Sequence, residues 1–153
     1  MASTPESNSP SSWHCTAKHT ARASQLGCIV HRTILFIDPD VAGNKLAALV
    51  LRPDGWTVHA VTTTAAAFET LDTLVPALIV TELEHRDMDG LRFIEALRAA
   101  PSTRHTPIVA VTSVSAPETE QRARAAGVVD YIHKPINVMT FASRLTEALG
   151  ARP

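Results

Sequence analysis

Cysteine is nearly missing from this 153-residue chain, which holds Cys15 and Cys28 and no other. A domain with a large apolar core needs no disulfide, so reduced thiols and a reducing, cytoplasmic setting are expected. An excess of charge of either sign is missing as well. With a formal net charge of -1 and a pI near 6.6, the chain carries no basic excess to draw it to nucleic acid or an anionic membrane. No apolar run approaches the length that crosses a bilayer. The turn Asp38-Pro39-Asp40-Val41-Ala42-Gly43 lacks the glycine-rich fingerprint that cradles dinucleotide phosphates, and no Walker-type loop occurs elsewhere. A nucleotide-binding enzyme is therefore disfavoured. Internal repeats are absent. What is present, at 45% hydrophobic and 19% charged, suffices for one globular core and is too little for a second full domain.

Residues 1–31 are rich in Ser, Thr, Ala and His, hold Glu6 as their one acid, and show neither strand alternation nor a helical apolar stripe. That composition predicts a disordered extension. From Thr33 onward, short apolar runs alternate with helical patterns, the signature of a parallel sheet covered by helices on both faces. The expected order is (βα)5, in a domain spanning 32–150. Strands are expected over 33–38, 56–61, 77–82, 107–112 and 128–133. Helices are expected over 41–51, 65–74 and 91–99, then from a capping box at Ser115-Ala116-Pro117-Glu118 to Gly127, and finally after Asn137. The spacing puts Leu46, Leu49 and Val50 on the buried face of the first helix, and Ala67, Phe68, Leu71 and Val75 on that of the second. Leu91, Ile94 and Leu97 do the same in the third, and Val138, Phe141, Leu145, Ala148 and Leu149 in the last.

The apolar run Ala77 to Thr81 ends abruptly in Glu82, and a charged group at a strand tip marks a candidate site. Asp89-Gly90 follows after a loop, with Asp89 placed to cap the next helix. Three other runs end in similar fashion, at Asp38, at Thr112 and at His133-Lys134-Pro135. Ligands of an open α/β sheet bind outside the carboxyl ends of its strands, so Asp38, Glu82, Thr112 and Lys134 are expected to converge. Carboxylates and an ammonium gathered there form either a working site or a structural ion-pair cluster. Asp40 reads as a helix N-cap or first-turn acid. His85 and His133 flank the candidate site but lack enough companions for zinc, and loop histidines of this kind are expected to be solvated. His14 and His19 beside Cys15 have no scaffold around them.

These strand ends, with Asp89-Gly90 and Lys134-Pro135 in register, resemble the receiver domain of two-component response regulators over roughly Thr33 to Leu149. The resemblance implies a flavodoxin-like, doubly wound, five-stranded parallel sheet. It places Glu82 at the phosphoacceptor position, where the family has aspartate, and Thr112, Tyr131 and Lys134 at the switch and phosphate-sensing positions. It implies a magnesium site, weak or absent here, drawn from Asp38, Glu82 and the backbone carbonyl of Glu84. A cis Lys134–Pro135 bond is expected too, since proline lowers the cis penalty. Two further departures stand out: Pro39 takes the second place of the family's acidic pair, and Arg86 stands where proline is common.

Glutamate adds one methylene to the acceptor position, and in-line phosphoryl transfer loses about a hundredfold for a misplacement on the order of 1 Å. The sequence therefore reads as a pseudo-receiver: a single-domain signalling protein, not an enzyme, acting by protein contacts within a phosphorelay. Its partner would be a histidine kinase or another signalling protein, met through the face of the fourth helix, fifth strand and fifth helix. A Glu82–Lys134 charge pair is expected to hold Thr112 and Tyr131 near the family's activated arrangement. The alternative is a functional receiver that accepts a phosphoryl group from a histidine kinase or a small phosphodonor.

Overall fold

Alternating side chains split every strand between two apolar layers. In a computed structural model describing residues 32–151, five strands form one sheet: β1 (Thr33–Ile37), β2 (Thr57–Val61), β3 (Leu78–Thr81), β4 (Ile108–Thr112) and β5 (Val128–His133). They are all parallel, in the order β2-β1-β3-β4-β5. The helices are α1 (Val41–Leu51), α2 (Thr64–Leu71), α3 (Gly90–Ala99), α4 (Pro117–Ala125) and α5 (Phe141–Gly150). Ile34 and Phe36 of β1 join Ala47 and Leu51 of α1 and Phe141 and Leu145 of α5 in one core. Leu35 and Ile37, pointing the other way, join Ala67, Phe93, Ile94, Leu97 and Ala123 from α2, α3 and α4 in the other. The flavodoxin-like (βα)5 expectation is thus met. The expected extension at 1–31, with Cys15, Cys28, His14 and His19, lies outside the described residues.

Several expected faces are corrected. On α1 the buried residues are Asn44, Ala47 and Leu51, while Leu46 and Leu49 are 44% and 68% exposed. A polar side chain is buried at the start of this row because the Asn44 amide donates to the Asp38 carbonyl at 2.9 Å, which pairs a backbone oxygen that burial cuts off from water. Helix α2 ends at Leu71, so Val75 falls beyond it and is 83% exposed. Helix α5 begins only at Phe141, which leaves Val138 on an exposed connection. The expected capping box of α4 does not form: Ala116 is the N-cap, without a side-chain bond, and Pro117 opens the helix.

At the end of the sheet opposite the strand tips, Arg98 ties two loops together. Its guanidinium donates to the carbonyls of Arg104 and Thr106, at 3.2 and 2.6 Å, and to that of Gly127 at 2.7 Å. Gly127 has a φ of +110°, a conformation that favours glycine, and this closes the turn between α4 and β5. Among the described residues no helix is long and apolar enough to cross a membrane.

Candidate functional site

The strand order makes β1, β3 and β4 neighbours, and their carboxyl ends bring Asp38 and Glu82 to one cleft. Asp38 follows β1 directly and is buried, held by the Asn44 amide on its carbonyl and by Asp40 N–H on Oδ1 at 2.8 Å. Asp40 itself caps α1, accepting from Ala42 and Gly43 N–H, as its expected structural role requires. Glu82 follows β3 and is also buried. Its Oε1 accepts from the N–H of Leu83 at 2.8 Å.

The loop after Glu82 is fixed by a close backbone approach. A Cβ on Gly90 would lie 2.6 Å from the Leu83 Cα, so no larger residue fits without moving the loop. Asp89 caps α3 by accepting from Leu91 and Arg92 N–H, each at 3.1 Å, and Glu84 and Asp89 form an isolated bridge. Asp87 reaches across to α2, accepting from the Thr64 hydroxyl at 2.8 Å and from Ala65 N–H at 3.1 Å. These bonds hold its carboxyl below the usual range, outweighing the larger opposing effect of desolvation. Sequence reasoning missed Asn44 and Asp87. The phase 44/47/51 on α1 was a signal for the first; nothing local signalled the second.

Lys134 closes the cleft from the end of β5. The Lys134–Pro135 bond is cis, as expected, and Lys134 Nζ lies 2.7 Å from Asp38 Oδ2 and 2.6 Å from Glu82 Oε2. Its side chain is 24% exposed, against 3% and 6% for the two carboxylates. Burial is the largest influence on the ammonium and favours loss of its proton. The hydrogen bonds and charges of Asp38 and Glu82 together outweigh it, leaving the group above the ordinary lysine range. Breaking such a buried pair leaves an uncompensated charge, at a cost of about 3–5 kcal/mol.

Thr112 and Tyr131 meet at one residue. The Thr112 hydroxyl accepts from Val114 N–H at 3.2 Å, and the buried Tyr131 hydroxyl donates to the Val114 carbonyl at 2.8 Å. Thr112 joins the cluster through the backbone, where Lys134 N–H donates to its carbonyl at 2.9 Å. Burial, and then the charges of Glu120, Glu82 and Glu84, push the tyrosine hydroxyl up. His85 is not the solvated loop residue expected. It is half-buried with its Nε2 3.1 Å from the Thr81 hydroxyl, its ring edge-on to Phe93 and its Nδ1 without a partner. Burial, its largest influence, holds its pKa below the ordinary histidine value. His133 is exposed.

Residues 34–146 match the family model described as the response regulator receiver domain. The chain belongs to that family. This receiver domain is 29% identical over 104 residues to an uncharacterized 14.6 kDa protein of Leptolyngbya boryana, covering 68% of this chain and 79% of the relative. It is 30% identical over 104 residues to the signal transduction histidine-protein kinase BarA of Shigella flexneri, covering 68% of this chain but spanning only 11% of BarA. In structure it is similar to a putative response regulator from Chloroflexus aurantiacus J-10-fl, with a TM-score of 0.74 at 23% identity over 78% of this chain and 98% of that one. Residues 34–146 are therefore a receiver domain of the kind used in two-component signalling.

Receiver domains typically bind magnesium at their acidic site, and the residues present here fit it poorly. Among the described residues no group of three or more His, Cys, Asp or Glu is placed to hold a metal ion. Asp38 and Glu82 are both bonded to Lys134, their other oxygens accept backbone N–H groups, Asp40 is spent on its cap, and Pro39 offers no side-chain oxygen. The oxygens of Asp38 and Glu82 expected to face a weakly held or absent magnesium are bonded to the lysine ammonium instead.

Proposed function

We propose that this receiver domain is degenerate: it is not efficiently phosphorylated and works in two-component signalling through protein contacts. The observation that carries the reading is the pair of contacts from Lys134 Nζ to Glu82 and Asp38, at 2.6 and 2.7 Å. The longer glutamate side chain spans part of the distance a phosphoryl group would cover, so the acceptor position meets its lysine without modification. With Lys134 held, its backbone bond to Thr112 and the shared anchoring of Thr112 and Tyr131 on Val114 keep the connection from β4 to α4 in an activated-like arrangement. Glu82, Thr112, Tyr131 and Lys134 are thus a standing version of a switch.

The working surface in this reading is α4, β5 and α5. It carries exposed His133 beside the Glu120–Arg124 pair and the Arg144–Asp130 pair, at 2.8 and 2.6 Å. A histidine kinase or another signalling protein is the partner, and the cytoplasm the setting. Incubation of the wild type with acetyl phosphate and magnesium, followed by intact mass measurement, tests the reading. No phosphoryl adduct is expected, and Glu82→Asp combined with Pro39→Asp should gain one. A magnesium-dependent adduct on wild-type Glu82 would instead establish a functional receiver fed by a kinase or a small phosphodonor.

A further inference from the structure

The two edges of the sheet, β5 and β2, are finished in different ways. On β5, Lys134 N–H donates to the Thr112 carbonyl, so the two-residue period of the strand turns the backbone groups of Tyr131 away from β4. Both are covered: Tyr131 N–H donates to Asp130 Oδ1 at 2.8 Å, and its carbonyl accepts from Arg144 Nη2 at 3.1 Å. A charged pair thus closes that edge. On β2, Thr57 N–H donates to the Arg32 carbonyl and the Val61 carbonyl accepts from Asp38 N–H, which by the same period turns Val58 and Ala60 outward. Among the described residues no side chain or loop bonds to the N–H and C=O of these two. Nor does the edge carry a deterrent. From Gly55 to Phe68 the chain has no Asp, Glu, Lys, Arg or Pro, the residues that keep open edges from pairing, and Thr57, His59 and Ala60 are exposed.

We infer that β2 is a self-association edge, pairing antiparallel with β2 of a second copy about a two-fold axis through His59. In that register Val58 of one copy exchanges both its bonds with Ala60 of the other, and Ala60 with Val58, so every outward group is satisfied on both sides. His59 meets its own copy in the non-bonded position, with Cα atoms about 4.5 Å apart. A second copy suits this edge better than a loose peptide, because both copies bring the strand already extended and lose no ordering entropy on pairing. The product is one sheet of ten strands, within the range of open α/β sheets. Its closed β5 edges lie at the two far ends, so each pair of chains presents two α4, β5 and α5 surfaces at once. The inference is independent of whether Glu82 takes a phosphoryl group.

Sedimentation velocity of the full chain tests this. Two short strands make a small interface, so the weight-average mass should climb from one chain of 16.4 kDa toward two between about 10 µM and about 1 mM. His59→Lys and His59→Asp each set like charges opposite one another across the axis, and each should weaken association at least about tenfold. Mixed in equal amounts, the two variants should recover the association of the wild type. Ala60→Pro, which removes one outward N–H and no bond to β1, should weaken it as well. Circular dichroism checks that each variant is folded, and Ala60→Lys replaces Ala60→Pro should the proline form not be. A wild type that stays monomeric over the whole range would overturn the inference and leave the edge to a strand of another protein. Association that survives all three substitutions, or lysine and aspartate forms that fail to recombine, would overturn it too, by placing the contact on another face or in another register.

Discussion

Helices α3 and α4 are similar in length and lie against the same face of the sheet, yet they are held in opposite ways. Helix α3 is capped by Asp89 and buries Gly90, Phe93, Ile94 and Leu97, with Phe93 edge-on to Phe68 at 5.2 Å between ring centroids. Helix α4 has no side-chain cap and buries Ala123 alone. Its Glu120–Arg124 pair is on the surface, where such pairs contribute about 0–1 kcal/mol. The loop carrying Glu82 leads into the anchored helix, while Tyr131 and Val114 lie beside the lightly held one. The side that carries the charge cluster is thus held by a cap and four buried residues, and the side that carries α4 by one buried residue.

Gly90→Ala should break the anchored side most severely, because the added methyl would collide with Leu83 backbone rather than with a flexible side chain. A loss of more than about 3 kcal/mol in denaturant unfolding is expected. Lys134→Met comes next, at about 3 kcal/mol, since it strands two buried carboxylates. A double-mutant cycle with Glu82→Gln should show coupling; additive effects would deny that the pair is a unit. Smaller still are two changes of opposite sign. Asp89→Ala should cost about 1 kcal/mol by uncapping α3, whereas Ala116→Asp should add up to about 1 kcal/mol by supplying α4 with the cap it lacks, its backbone already being extended at that position. If Ala116→Asp gave no gain, the contrast in capping would not be what separates the two helices.

The smallest effect is one of pH. His85 packs on Phe93 of α3 and has its pKa held below the ordinary value of about 6.5. The folded state therefore favours the neutral ring, and this contribution is present above that value and lost as pH falls through the lowered one. Unfolding free energy of the wild type should decline between pH 7 and pH 5 more steeply than that of His85→Gln. Equal slopes would mean that the ring is not burdened by its burial.

Much of this was readable in the chain because strand tips announce themselves: an apolar run that stops at Asp38, Glu82 or Thr112 leaves few places for those groups except one end of a parallel sheet. Register then carried Lys134 to the same end. What the pattern could not reveal came from tertiary bonding. Asn44 displaced Leu46 and Leu49 from the core of α1 because its amide answers a carbonyl of another element, and periodicity counts only apolar residues. The local match Ser115-x-x-Glu118 suggested a cap, but the helix opened at Pro117, a residue whose missing N–H needs no partner there. His85 looked solvated since no local rule says that Phe93 comes to lie against it.

Arg98 adds a mechanical consequence to the contrast between the helices. The guanidinium that grips the Arg104 and Thr106 carbonyls also grips that of Gly127, at the foot of α4. Helix α4 is thus moored at one extremity and unfastened at the other, the layout of a lever whose fulcrum lies at Gly127. A tilt about that end would have its longest stroke at Pro117, three residues after Val114, on which Thr112 and Tyr131 converge. A displacement at Gly127 too small to disturb the sheet would be enlarged along the nine residues of the helix.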